Sequence, residues 1–66
     1  MTHPPHPTKS QIADRLVALA DEMLYVATLI DYYGGNAPWA QHGSELAGAA
    51  GIAKSWAGEI REEAIA

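Results

Sequence analysis

The residues best suited to chemistry are His42 and Glu45, an imidazole and a carboxylate set three positions apart. On a helix that spacing puts both on one face, where a histidine can serve as a general base, a metal ligand or a pH switch. A two-metal carboxylate bundle, however, needs several such units and inward carboxylates from neighbouring helices. The apolar face of the N-terminal half offers no inward carboxylate. His3 and His6 could hold a metal only weakly, in a tail without a further ligand. The chain has no cysteine, which excludes disulfides and thiolate zinc sites. It also carries no glycine-rich phosphate loop behind a strand, no nucleophile elbow and no Ser-His-Asp set with a plausible pocket. The reading is therefore no enzyme, no cofactor and no metal, with His42 expected as a hydrogen-bonded histidine of the core.

Three other groupings are suited to binding. Tyr32, Tyr33 and Trp39 bracket Gly34, Gly35 and Asn36, with His42 one turn further on. Amphipathic rings beside flexible backbone suit recognition, so Tyr32, Asn36, Trp39 and His42 form a candidate binding patch, while Tyr33 and Trp39 are expected to seal the end of the core. Ser44, Gly48, Gly51, Ser55 and Gly58 recur at alternating spacings of four and three along one helical face. Each interior glycine costs about 1 kcal/mol against alanine; either close approach of another backbone compensates that loss, or the row is a solvated face or a helix kinked or broken near Gly43 or Gly51. Finally, Glu59, Glu62 and Glu63 crowd one end of the chain, where they are either solvated and locally paired or dock on a basic surface.

These groups need helices to position them. Residues 1–7, Met-Thr-His-Pro-Pro-His-Pro, hold three prolines and read as an extended tail. Thr8 and Gln11 have the spacing of a capping box, which starts a helix near Lys9. From there Ile12, Leu16, Leu19, Met23, Val26, Ile30 and Tyr33 form a heptad seam, flanked by a row of Ala13, Val17, Ala20, Leu24 and Ala27. Gly34-Gly35 ends this helix at about residue 33, and Asn36 and Pro38 restart the chain. A second helix over about 37–63 carries Trp39, His42, Leu46, Ala49, Ala53, Trp56 and Ile60 on its seam, beside a row of Gly43, Ala50, Ala57 and Ala64. Folded as an antiparallel hairpin, the two seams set Val26 opposite Leu46, Met23 opposite Ala49 and Leu16 opposite Trp56.

Two helices touching along one stripe hide little apolar surface for a chain this short. Val17, Leu24, Tyr25 and Leu29, left over beside the seam, are therefore expected to mediate self-association, most simply as a dimeric four-helix bundle. The size and pattern resemble the two-helix protomers of small dimeric four-helix-bundle regulators, a likeness of fold that implies no activity. Eight carboxylates against four Lys and Arg give a net charge of −4 over 66 residues. That charge disfavours nucleic acid and acidic membranes as partners. No apolar run approaches a membrane span and no signal-peptide core is present, so a cytoplasmic location is expected.

The fold class read from these features is all-α, a two-helix hairpin assembling into a homo-oligomeric bundle. The function read from them is a non-catalytic interaction protein that modulates or inhibits a larger protein, the type of small acidic product that phages and mobile elements encode. The alternative is a protein that binds a small molecule, for example a nucleotide, between protomers near Gly34-Gly35. All four basic residues, Lys9, Arg15, Lys54 and Arg61, lie in the half away from that turn, which weakens the alternative for an anion unless a second protomer brings Arg15 or Lys54 there.

Overall fold

The computed structural model describes residues 6–65, and among them it contains helices and turns but no strand. Most of the expected tail, His3 included, lies outside the described residues; His6 and Pro7 are exposed and precede the first helix. Helix α1 spans Lys9–Gly34. Its start follows from Thr8, whose hydroxyl accepts from the Gln11 amide at 3.1 Å while the Gln11 side chain accepts from the Thr8 amide at 2.8 Å. This reciprocal pair satisfies two backbone groups near the helix end. At the other end Gly35 takes φ +51°, a region where a Cβ would clash.

The second helix does not begin at residue 37. Ala37 is extended, at φ −65° and ψ 146°, because the ring of Pro38 excludes the α region for the residue before it. Pro38–Gln41 instead form a short 3₁₀ turn, tied on by bonds from the Ala37 amide to the Gly34 carbonyl at 2.9 Å and from the Ala40 amide to the Ala37 carbonyl at 3.0 Å. Helix α2 then spans His42–Ile65 and runs unbroken through Gly43, Gly48, Gly51 and Gly58.

The helices are antiparallel, since Lys9 at the start of α1 meets Glu63 near the end of α2 at 2.7 Å. Their shared core is made of small residues. Ala13, Ala20 and Ala27 of α1 and Ala50, Ala53 and Ala57 of α2 are the buried apolar residues, joined by buried Gly34 and Gly43. Ala20, Ala50 and Ala53 form the central cluster, against which Leu16, Met23 and Leu24 pack.

This arrangement corrects the expected seam. Row Ala13, Ala20, Ala27 and Gly34 faces the partner helix, and Ile12, Leu19 and Tyr33 of the larger row stand exposed, Leu19 by 56% and Tyr33 by 71%. The physical reason is approach distance. A Cβ built on Gly43 would come within 3.0 Å of the Ala27 carbonyl oxygen on the opposite helix, a separation of the two backbones that leucine-sized side chains between them would forbid.

Candidate interaction surface

The buried row divides each helix into two flanks. Successive residues are about 100° apart around a helix, so the positions just before the row in α1, Ile12, Leu19, Val26 and Tyr33, lie to one side of it, and those just after, Asp14, Asp21 and Thr28, to the other. In an antiparallel partner the same rule puts His42, Ala49 and Trp56 on the first side, and Ser44, Gly51 and Gly58 on the second. The ion pairs verify this division. Asp14 bonds to Arg61, and Asp21 pairs with Lys54 at 2.9 Å, one heptad apart on each helix and both on the second side.

The first side is consequently broad and apolar. Ile12, Leu19 and Trp56 are exposed on it, with Leu16, Met23, Val26, Ile30, Leu46 and Ile60 half-buried beside them. Trp56, at 55% exposure, does not close the open end of the core as the opposed seams implied. The molecule is only 13 Å along its shortest axis, about one helix diameter, so among the described residues no second layer covers that side.

The residues expected to mediate self-association separate. Val17 and Leu24 are half-buried, and Leu24 packs on the hairpin's own alanine cluster. They are therefore not a leftover row: with the alanines facing inward, their row borders the core. Tyr25 is exposed and Leu29 half-buried, neither on the alanine row. Ile52, 53% exposed on the outer side of α2, escaped the sequence reading because it belongs to neither heptad row.

The candidate patch at the turn is displayed rather than enclosed. Tyr32, 78% exposed, meets the Tyr33 ring edge to face with centroids 4.8 Å apart, so Tyr33 does not seal the core. Trp39 is half-exposed beside Gly34, and Asn36 is exposed. His42 is not a core histidine: its Nδ1 lies 3.0 Å from a Glu45 carboxylate oxygen at the surface. The rotation of α2 that buries Gly43 turns the neighbouring position outward.

Ser44, Gly48, Gly51, Ser55 and Gly58 are all exposed, and nothing lies within 4 Å of a Cβ built on Gly48, Gly51 or Gly58. Within one chain the closely approached glycines are Gly34 and Gly43 instead. At the acidic end, Lys9 beside Glu63 holds that carboxyl below its ordinary value through a hydrogen bond and their opposite charges. A shallow depression lined by Pro7, Gln11, Asp14 and Arg15 lies at the same end, away from the turn. Among the described residues no three His, Asp or Glu side chains cluster as a metal site would need, and no helix is long and apolar enough to cross a membrane.

Comparison with protein-family models, with curated proteins and with solved structures finds no match.

Proposed function

We propose that the protein is a non-catalytic interaction protein, a small acidic helical homo-oligomer that binds and modulates a larger protein. The observation that supports this reading is the uncovered apolar side of the hairpin, with Ile12, Leu19 and Trp56 exposed while the buried apolar side chains among the described residues are all alanine. Large apolar side chains gathered on one surface mark interaction sites. The turn patch of Tyr32, Asn36, Trp39 and His42 is the proposed contact for the larger protein, since its rings are displayed beside the backbone of Gly35.

The exposed Tyr32–Tyr33 pair favours a second reading, a small molecule such as a nucleotide stacked near the turn. Against it, Lys9, Lys54 and Arg61 are engaged with Glu63, Asp21 and Asp14 in the other half of the hairpin, and Arg15 lies in that half too, which leaves an anionic ligand no Lys or Arg at the turn among the described residues.

A tagged full-length chain captures its partner from the host, and the purified partner is then titrated directly with wild type and with Tyr32→Ala. Direct binding weakened about thirtyfold by the substitution, the usual effect of an aromatic anchor worth about 2 kcal/mol, is the expected result. A co-purified small molecule in native mass spectra, with no protein that rebinds directly, overturns it in favour of the second reading. Binding that survives Tyr32→Ala but is lost on charge reversal of Glu59 and Glu62 moves the contact to the acidic end.

A further inference from the structure

We propose that a second copy of this chain closes the apolar side, related by a twofold axis that runs along the bundle, so that α1 of each protomer lies on α2 of the other and both turns sit at the same end. The proposal rests on the interaction reading above and names the occupant of its apolar surface.

The size of the surface fits. Helix α1 has 26 residues, which makes it about 39 Å long at 1.5 Å per residue, and two helices side by side are roughly 20 Å wide. A face of that extent buries on the order of 1,500 Å² when two copies meet, within the range of stable specific complexes. The chemistry fits as well. Leu16, Met23, Ile30, Leu46 and Ile60, half-buried at the edge of the alanine core, would line the centre of the four-helix bundle, and each hairpin would gain the large buried side chains that it lacks alone.

Charge then selects the orientation. The rows that border the apolar side are Arg15, Glu22 and Leu29 on α1, and Glu45, Ile52 and Glu59 on α2. An axis along the bundle leaves the height of every residue unchanged, so the contact between molecules keeps the register already set by Asp14–Arg61 and Asp21–Lys54. In that register Arg15 comes opposite the partner's Glu59, Glu22 opposite the partner's Ile52, and Leu29 opposite the partner's Glu45. An axis across the helices instead sets each row against itself, with Glu22 near the partner's Glu22 and Glu45 near the partner's Glu59. Like charges brought together at a contact are unfavourable. Arg15 is moreover the one Lys or Arg outside an intrachain ion pair among the described residues, which leaves it available to the second copy.

The test uses the full chain, whose lack of cysteine allows a single label at the turn. Asn36→Cys carries a nitroxide, and the distance between labels is read by pulsed electron resonance beside sedimentation of the unlabelled protein. The expected result is a dimer with labels within about 30 Å of each other, since neighbouring helices are 8–10 Å apart, whereas turns at opposite ends stand about 40 Å apart or more. Arg15→Glu is expected to raise the dimer dissociation constant at least tenfold, and adding Glu59→Arg to restore it. A label separation of 40 Å or more, or a double variant no tighter than Arg15→Glu alone, overturns the arrangement. A chain that stays monomeric overturns the second copy and the homo-oligomer of the proposed function together; if it still binds a larger protein directly, the reading as a non-catalytic interaction protein stands.

Discussion

The glycines of the two helices make opposite demands at the scale of single residues. Nothing lies near a Cβ on Gly51, so Gly51→Ala should raise hairpin stability by about 0.5–1 kcal/mol through helix propensity alone. Thermal melts measure this gain, and a simultaneous loss of assembly or partner binding would mark the glycine face as a surface that another backbone approaches. Gly34 is the counter-case, because its Cβ would lie 2.6 Å from the Ala40 Cβ and 3.0 Å from the Ala40 Cα. Gly34→Ala should therefore destabilise by about 1–3 kcal/mol, as overpacking does, with the 3₁₀ turn displaced. Lys9 and Glu63 supply a pH-dependent contribution. The carboxyl of Glu63 is held below its ordinary 4.5 by Lys9, so the stabilisation is fully present above that value and is lost as the pH falls through the lower folded value. Lys9→Ala should lower the melting temperature near pH 7 by a small amount, as an exposed pair allows, and the difference from wild type should shrink as the pH is taken below 4.5.

The elements themselves were largely legible. Thr8 and Gln11 announce the start of α1, and Gly34-Gly35 with Pro38 announce its end, because capping and left-handed backbone depend on residues next to one another in the chain. What periodicity could not decide is which of two adjacent apolar rows faces the neighbour. Ile12, Leu19 and Tyr33 fit a seam by size, but Ala13, Ala20 and Ala27 permit a closer approach, and the Asp14–Arg61 and Asp21–Lys54 pairs fit the rotation that brings the alanines inward. Rotation of one helix about its axis is a long-range property, and it also moved His42 from the core to the surface. Two substitutions separate the rows. Leu24 packs on the alanine cluster, so Leu24→Glu should destabilise the hairpin at every protein concentration, by about 2–3 kcal/mol for a charge set against that core. Leu19, exposed in the single chain, should tolerate glutamate within the hairpin and lose only what assembly adds. Chemical denaturation at two protein concentrations distinguishes them.

At the scale of the whole molecule, a hairpin one helix thick with an alanine core has little apolar surface hidden from water. Burial of a leucine-sized side chain contributes roughly 1.5–3 kcal/mol, and among the described residues no large side chain is fully buried. If a second copy covers the apolar side, folding and association are linked, and stability depends on concentration by mass action. Unfolding of such a dimer takes up about 0.7 kcal/mol of enthalpy per residue over both chains, so each tenfold rise in concentration, worth about 1.4 kcal/mol, should raise the melting temperature by roughly 3–6 °C. Leu19→Glu should flatten that dependence, because an unpaired carboxylate would have to be buried in the contact. Arg15→Glu should lower the whole curve while keeping its slope over the range where dimer still forms, since it weakens the contact without removing its apolar surface. Circular dichroism melts across two decades of concentration read both effects, and a wild-type melting temperature that does not move with concentration would mean that the hairpin is stable without anything on its apolar side.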